Sequence, residues 1–267
     1  SATQINTERV TLSADQLLNY NVSSTNSDIA IFVGNSYQYT DKGGQTVTGS
    51  QFPSDQHRQI ASAGVRSGTT TASSNSLLSF FGGVNFSYKD RYVIDGTFRS
   101  DGSSRIGKDH RWGHFPAAGF NWRVSNEPFF PKSDNFNELR LKASWGLTGN
   151  AAVDDFQSLG LWSGGSNYGD NPGIVPSQMA NADLRWETTR QWNLGVSGVM
   201  LKQRLDFEIN YYDKYTKDLL LSSFPVQDIT GFSSITYNAG EISNKGIEFI
   251  LNSDNLTSKT LTWRTTY

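Results

Sequence analysis

The segment from Glu138 to Asn150 alternates between apolar and polar side chains. Its odd-numbered positions are apolar and the positions between them are polar or small: Leu139, Leu141, Ala143, Trp145 and Leu147 alternate with Arg140, Lys142, Ser144 and Gly146. Alternate side chains of a β-strand point to opposite faces. The pattern therefore predicts a strand with one apolar face and one face that carries two cations.

The same period-2 pattern recurs and predicts about ten strands. One hairpin is predicted from residues 84–88 and 92–99, with its turn at Lys89 and Asp90. The other strands are predicted near residues 17–22, 29–39, 120–124, 139–147, 192–197, 205–211, 247–251 and 261–264. No segment shows a sustained helical period, so the predicted fold class is all-β.

The predicted connections alternate between long and short. Long links are expected at 40–76, 100–111, 148–186 and 219–236, and shorter ones at 89–90, 125–137, 201–204 and 252–259. Antiparallel up-and-down membrane barrels have this asymmetry, because their short turns face the periplasm and their long loops face the outside. The long links are rich in Gly, Ser, Asn and Asp, which is typical of solvated loops.

Two folds satisfy the alternation of faces. In a soluble β-sandwich the apolar face packs on a second sheet, whereas in a transmembrane β-barrel it contacts lipid. The barrel requires Arg140 and Lys142 to point inward, since a cation at the bilayer midplane costs about 2–4 kcal/mol. Long strands, alternating links and aromatic residues near strand ends favour the barrel; these aromatics are Tyr88, Tyr92, Trp145, Trp186, Trp192, Tyr211 and Tyr212.

Composition removes several classes of function. The net charge of −2 gives no electrostatic reason to expect a nucleic-acid partner. Cysteine is absent, which excludes disulfides and thiolate metal sites. The chain has no run of 18 apolar residues, so a transmembrane helix is not expected, but a spanning strand needs only about 9–11 alternating residues. The first residues, SATQINTERV, do not resemble a signal peptide.

Candidate catalytic chemistry is sparse, and no catalytic, cofactor or metal site is expected. His110 and His114 are four residues apart but lie outside any predicted helix, so their spacing does not indicate a metal site. Asp206 and Glu208 fall on one face of a strand, about 7 Å apart at Cα, a spacing that a glycosidase could use. Similar charge pairs recur along the chain, which favours a structural role for this pair.

Several longer motifs occur in a fixed order. They are SFFGGVNFSYKDRYVIDGTFRSDGSSRIGKDHRWGHFPAAGFNWRVSNEPFF from Ser79, followed by LRLKASWGLTGN, NADLRWETTRQWNLGV, RLDFEINYYDKYTKDLLL and NAGEISNKGIEF. Together they resemble the SusC/RagA family of TonB-dependent outer-membrane transporters over about residues 29–249. Several motifs in order are far more specific than any one of them.

The resemblance implies a Gram-negative outer-membrane protein that imports oligosaccharides or peptides. Such proteins are barrels of about 22 strands around a plug. The implied partners are outer-membrane lipid, a SusD-like surface lipoprotein and the TonB complex. No plug domain or signal peptide is recognised, so residues 1–267 are expected to be part of the barrel domain, an internal or C-terminal-half fragment with about ten strands of a larger barrel. The contact with TonB would run through the missing plug region.

Two sets of residues are candidates for the functional site. Aromatic and amide side chains in the 148–186 link suit stacking and hydrogen bonding to a sugar: Trp162, Asn167, Tyr168 and Asn171. A second set is predicted to face the lumen, with pairing across strands or against the plug favoured over substrate contact: Asp95, Arg99, Arg140, Lys142, Asp206 and Glu208. The alternative is a soluble β-sandwich that binds or hydrolyses carbohydrate.

Overall fold

The computed structural model describes residues 1–57, 59–131, 133, 135–169, 171–258 and 260–267. It contains one antiparallel sheet of ten strands and two small sheets of two strands. The large sheet consists of β1 (Ala2–Ser23), β2 (Ser27–Ser50), β3 (Val65–Tyr88), β4 (Tyr92–Ser103), β5 (Trp112–Arg123), β6 (Phe136–Asn150), β9 (Glu187–Met200), β10 (Leu205–Lys217), β13 (Glu241–Thr257) and β14 (Thr262–Thr266). The small sheets are β7 (Leu161–Gly164) with β8 (Ile174–Gln178), and β11 (Leu220–Pro225) with β12 (Ser234–Asn238). The strands of the large sheet pair in chain order, which confirms the predicted up-and-down all-β fold.

Two neighbouring rows of the large sheet show how its faces differ. One row is apolar or aromatic in every strand from β1 to β13: Val22, Ile29, Phe86, Ile94, Phe120, Ala143, Leu194, Tyr211 and Ile247. The row one residue away is polar or small: Asn21, Ala30, Asn85, Asp95, Gly119, Ser144, Asn193, Tyr212 and Gly246. A slip of one residue would exchange the two faces, so all these strands share one register.

The apolar face is open rather than packed against another layer. Leu141 is 37% exposed and Leu194 is 51% exposed. Among the described residues, the other two sheets are hairpins inside the long loops, so neither covers this face. The β-sandwich alternative is therefore wrong, and the fold is part of a transmembrane barrel whose apolar face contacts lipid.

The connections lie at two different ends of the sheet. The short ones are residues 24–26, 89–91, 124–135, 201–204 and 258–261, and the long ones are 51–64, 104–111, 151–186 and 218–240. Because the strands are antiparallel and joined in order, every long connection lies at the same end. The predicted alternation of connection lengths holds with one exception, because the 124–135 connection has 12 residues and the 104–111 connection has eight. The end that carries the 151–186 and 218–240 connections is the extracellular end of an outer-membrane barrel.

The predicted link at 40–76 is wrong over most of its length. Residues 40–50 and 65–76 continue β2 and β3, paired from Thr40 with Asn75 to Ser50 with Val65. The connection itself covers only residues 51–64. Side chains on both faces of this extension are largely polar or small, so it gives no period-2 signal even though the backbone pairing continues. The first strand likewise begins at Ala2, well before the predicted start near residue 17.

Smaller corrections concern helices and strand ends. The strand predicted at 120–124 ends at Arg123, because Val124 begins a 3-10 turn that runs to Asn126. The links predicted at 148–186 and 219–236 contain the β7–β8 and β11–β12 hairpins. In the described part of the chain, no helix has the length and hydropathy needed to cross a membrane.

Candidate functional site: the polar face and the long-loop layer

All six charged residues predicted to face the lumen lie on the polar face of the large sheet. Register places them there, opposite the apolar row: Asp95, Arg99, Arg140, Lys142, Asp206 and Glu208. Each lies on one of the strands β4, β6 and β10. The strand pattern alone brings these charges to a common surface.

Lys142 and Glu208 form an ion pair across the intervening strand β9. Lys142 Nζ lies 3.0 Å from Glu208 Oε1. The residue opposite Lys142 on β9 is Gly195, where a Cβ would lie 2.4 Å from Asn210 Oδ1. Asn210 in turn donates to Glu208 Oε1 at 3.1 Å. The absence of a side chain at Gly195 therefore leaves the space in which Lys142, Glu208 and Asn210 pack.

Three of the other four predicted lumen residues also have partners in the wall. Arg99 pairs with Asp101 at 2.7 Å and donates to Ser79 Oγ at 2.8 Å. Arg140 pairs with Glu138 on its own strand. Asp206 accepts a hydrogen bond from Asn252 Nδ2 at 2.7 Å. The remaining residue, Asp95, lies over Gly119, where a Cβ would lie 2.4 Å from its Oδ2.

Two of the long connections pack on each other at the extracellular end. Ile106 and Leu184 are fully buried, with 0% exposure each. The Gly107 amide donates to Leu184 O at 2.9 Å. A Cβ at Gly107 would lie 2.0 Å from the carbonyl oxygen of Ala182, so only glycine permits this approach. The DGSSRIG and NADLRW motifs thus form a small core between loops.

Asparagine side chains join the third long connection to this pair. Asn181 Nδ2 donates to Thr236 O at 2.8 Å. Asn238 accepts from the Arg185 amide and donates to the Arg185 carbonyl, both at 2.9 Å. Because each amide bonds to backbone of the other connection, residues 104–111, 151–186 and 218–240 form one body, which we call the loop layer.

A buried carboxylate helps to attach the loop layer to the sheet. Asp155 lies in the 151–186 connection, and its side chain is only 5% exposed. Four donors surround it: Arg105 Nε at 2.8 Å, Asn75 Nδ2 at 2.8 Å, Ser73 Oγ at 2.9 Å and Lys42 Nζ at 3.2 Å. Lys42, Ser73 and Asn75 belong to the extensions of β2 and β3. The loop layer is therefore tied to the taller side of the wall.

The charge of Asp155 is favoured by these donors. Burial by itself would raise the pKa of Asp155, but the hydrogen bonds from Ser73, Arg105 and Lys42 outweigh it and hold the pKa below the ordinary value. The carboxylate is thus ionised at neutral pH, where it balances two cations. The sequence analysis missed this residue because its partners are distant along the chain and no local spacing marks them.

The four residues proposed for ligand contact lie together on the β7–β8 hairpin. Trp162 is 64% exposed and Tyr168 is 89% exposed. Tyr168 and Asn171 exchange backbone hydrogen bonds of 3.1 and 3.2 Å across the hairpin tip. Asn167 Oδ1 accepts from the Gly173 amide at 3.4 Å. The hairpin therefore presents two aromatic rings and amide groups to the extracellular solvent.

A second carboxylate is held at the opposite, short-turn end. Glu127 is 7% exposed and accepts hydrogen bonds from the Tyr92 hydroxyl, from Trp122 Nε1 at 3.1 Å and from Arg91 Nη1 at 3.3 Å. The Tyr92 hydrogen bond is the largest cause that lowers the pKa of Glu127, and burial partly opposes it. Glu127 thereby fixes the rings of Tyr92 and Trp122 at the periplasmic end of the apolar face.

Two of the aromatic residues near strand ends do not lie on the lipid-facing side of the sheet. Trp186 packs edge-on against Phe115 at 5.4 Å between ring centroids and donates to Arg111 O at 2.9 Å. Phe115 is on the polar face, opposite Arg99. Tyr212 lies in the polar row beside Asn193. The position of an aromatic residue near a strand end does not show which face of the sheet it lies on, because the face is set by the register of the strand.

The arrangement offers no obvious catalytic constellation. Among the described residues no three His, Asp or Glu side chains are grouped closely enough to hold a metal ion. Asp206 and Glu208, the pair with glycosidase-like spacing, are engaged by Asn252 and Lys142 respectively.

Comparison with known proteins gives one consistent result. The family model described as TonB dependent receptor-like, beta-barrel, matches residues 2–267. TonB-dependent receptor P39 of Formosa agariphila is 37% identical over 198 residues, covering 74% of this chain and 19% of the relative. TonB-dependent receptor SusC of Bacteroides thetaiotaomicron is 35% identical over 213 residues, covering 77% of this chain and 21% of the relative.

The solved RagAB peptide transporter has the same fold. Its matching chain superposes with a TM-score of 0.91 at 25% identity, covering 99% of this chain and 30% of the transporter chain. The present chain thus spans about a fifth of the two curated relatives. It belongs to the TonB-dependent receptor-like β-barrel family and is part of the barrel of a SusC/RagA-type receptor of the Gram-negative outer membrane.

Proposed function

We propose that this chain forms part of the wall and extracellular mouth of an importer for oligosaccharides or peptides. The observation that carries the proposal is the polar row from β1 to β13, which lies directly behind the lipid-facing row. A wall that is apolar outside and polar inside suits a water-filled passage across a bilayer. The charged residues of the polar face would then line the lumen or meet a plug.

The energy and the surface partner would come from other components. TonB would supply energy through a plug in the lumen, and a SusD-like lipoprotein would cover the extracellular mouth. The relatives named above are receptors and a transporter. Because Asp206 and Glu208 are already paired within the wall, we infer a transport role without catalysis by this chain and without a cofactor.

The β7–β8 hairpin supports an oligosaccharide as substrate. Trp162 and Tyr168 are exposed rings that could stack on the flat apolar face of a sugar, while Asn167 and Asn171 supply amide groups for its hydroxyls. A peptide is the second candidate, supported by the fold shared with a protein named as a peptide transporter. Both substrates would meet the hairpin before they enter the lumen.

Ligand binding by the full-length receptor tests the proposal. Trp162→Ala and Tyr168→Ala should each weaken binding of the preferred ligand about tenfold, in line with a loss of 1–2 kcal/mol of stacking. Calorimetry with oligosaccharide and peptide libraries would identify the ligand class. Tyr39→Ala is the matched control, because Tyr39 is also exposed but lies on the apolar face of β2.

Two results would contradict the proposal. Uptake that continues in cells lacking TonB would exclude the energised mechanism. Unchanged binding in both hairpin variants would remove this hairpin from the site, even if transport by the receptor were intact.

A further inference from the structure

The apolar face contains an open groove at the middle of the sheet. Its volume is about 420 Å³, within the usual range of small-molecule sites. The groove exists because Ala143 is short and its row neighbours are larger. The side chains that line it include Phe120, Trp122, Ala143, Leu194, Tyr211 and Ile247. Every one of these residues lies on the face that contacts lipid.

A charged cluster lies on the same face, directly beyond the groove at the extracellular end. Lys245 and Asp213 are opposite each other in register, two residues beyond Ile247 and Tyr211. Farther out on the same face lie Lys217 on β10, with Glu241 opposite it on β13, and Arg190 on the neighbouring strand β9. Three cations and two carboxylates leave one net positive charge.

Two of the cations are available to a ligand. Lys245 Nζ is held by Asp213 at 2.9 Å. The Arg190 guanidinium instead lies over the Tyr215 ring, 5.6 Å from its centroid, and within the described residues neither Arg190 nor Lys217 has a carboxylate in ion-pair range. Both side chains are exposed. The Arg190 charge therefore faces the outer interface without a paired carboxylate in the described part of the chain, and Lys217 faces it with Glu241 opposite on β13.

We propose that the groove and this charged cluster together bind one phosphorylated lipid of the outer leaflet, of the lipid A class. An acyl chain would occupy the groove over Ala143, and a headgroup phosphate would contact Arg190 and Lys217. The order of the two parts fits a lipid that stands upright in the leaflet, because the apolar part lies toward the bilayer centre and the cations lie at its surface. Arginine is well suited to phosphate, since its guanidinium can donate two parallel hydrogen bonds.

Two features of the surrounding residues support this position for the lipid. Tyr211, which lines the groove, and Trp192, which is opposite Asp213 of the cluster, are amphipathic rings of the kind that settle at headgroup level. Basic residues near a membrane surface attract anionic lipid. The proposal depends on the membrane location and is independent of what the receptor imports.

Lipid retention by the full-length receptor tests the proposal. Protein extracted from outer membranes would be exchanged into phosphatidylcholine nanodiscs that contain a trace of either diphosphoryl lipid A or its dephosphorylated form, and bound lipid would be measured by native mass spectrometry. Diphosphoryl lipid A should be retained at least tenfold more than the dephosphorylated form. The double variant Arg190→Gln with Lys217→Gln should lower retention of diphosphoryl lipid A about tenfold. The single variant Arg190→Lys, which keeps Lys217, should retain more of this lipid than the double variant does.

The groove is tested separately from the charges. Ala143→Trp should fill it and reduce retention of both lipid A forms, whereas Ala14→Trp on β1 is a matched lipid-facing control that should change neither. Heat-modifiable migration on gels would verify that each variant is a folded barrel. Equal retention of the two lipid forms, unchanged retention in the double variant, or a second copy of the receptor cross-linked in the groove would each overturn the proposal.

Discussion

Arg105 and Asp155 lie fifty residues apart in the chain, yet Arg105 Nε donates to Asp155 Oδ1 at 2.8 Å. Arg105 belongs to the β4–β5 connection and Asp155 to the β6–β9 connection. The same carboxylate also accepts from Lys42 on β2. One side chain thus joins two loops and the extended part of the wall, which makes it the most informative residue to change.

Replacing Asp155 by Asn should loosen the loop layer without unfolding the barrel. The amide retains some hydrogen bonds but leaves Lys42 and Arg105 without a counter-charge. We expect the free energy of local opening to fall by about 1–3 kcal/mol, an effect limited by solvent because Lys42 is 38% exposed. Limited proteolysis of residues 151–186 in intact cells would measure the change.

The neighbouring Asp154→Asn is the matched control, since Asp154 is exposed and carries the same charge. It should leave the cleavage rate unchanged. Equal cleavage in the two variants would show that the Asp155 contacts do not fix the loop.

Protection of the same loop should depend on pH in a defined direction. The pKa of Asp155 is lowered in the folded protein, so its contribution is fully present above the unfolded value of about 3.9. It is lost as the pH falls through the lower folded pKa. Pepsin cleavage within 151–186 should therefore stay slow at pH 4 and accelerate only in stronger acid.

The Asp155→Asn protein provides the comparison for this pH dependence. It has no carboxylate at this position, so its cleavage should already be fast at pH 4 and should change less with further acidification. A wild-type loop that opens between pH 6 and pH 4 would contradict the lowered pKa.

The substitution Gly107→Ala should separate the two loops that share the buried Ile106 and Leu184. The added Cβ would lie 2.0 Å from the carbonyl oxygen of Ala182, which is backbone and cannot rotate away. We expect a cost of about 1–3 kcal/mol. Gly164→Ala is the control, because nothing lies within 4 Å of its Cβ position. Hydrogen exchange of the amides in 104–111 should increase only in the first variant.

The assignment of the two faces is tested by a pair of adjacent residues on β6. Leu141→Arg places a cation against lipid and should cost about 2–4 kcal/mol near the midplane, with poor barrel assembly. Lys142→Leu removes one partner of Glu208, which is partly solvated with 35% side-chain exposure, and should be tolerated. Folding yield in bilayers and heat-modifiable migration would compare the two variants. Similar yields would contradict the face assignment.

Local pattern was sufficient to predict the strands within the bilayer. Leu141 and Lys142 lie on opposite faces because neighbouring side chains of any strand do. Contact with lipid on one face requires an apolar side chain at every second position, so the alternation is regular there. Where both faces of the sheet meet water, as in residues 40–50 and 65–76, the pattern fades although the pairing of β2 with β3 continues. Hydropathy therefore predicted where strands meet lipid better than where they end.

The contacts of the loop layer could not be predicted from local sequence. Asp155 has partners at positions 42, 73, 75 and 105, and such a set depends on how whole connections fold over the sheet. The motifs around Ile106 and Leu184 carried the family resemblance, but their packing depends on contacts between two connections that are far apart in the sequence. The hairpin residues Trp162 and Tyr168 were correctly placed in a long extracellular connection, while their role in binding stays a prediction.

The unequal lengths of the strands have a mechanical consequence. β2 has 24 residues and β10 has 13. At about 3.3 Å per residue, β2 is therefore roughly 35 Å longer than β10, and the sheet is taller on the β2 side. Asp155 fastens the loops to this taller side, whose hydrogen-bonded ribbon continues into the bilayer. Swinging the loops outward would require breaking that ribbon or its bonds to Asp155. We therefore expect the extracellular rim on this side of the sheet to stay fixed when the rest of the mouth moves.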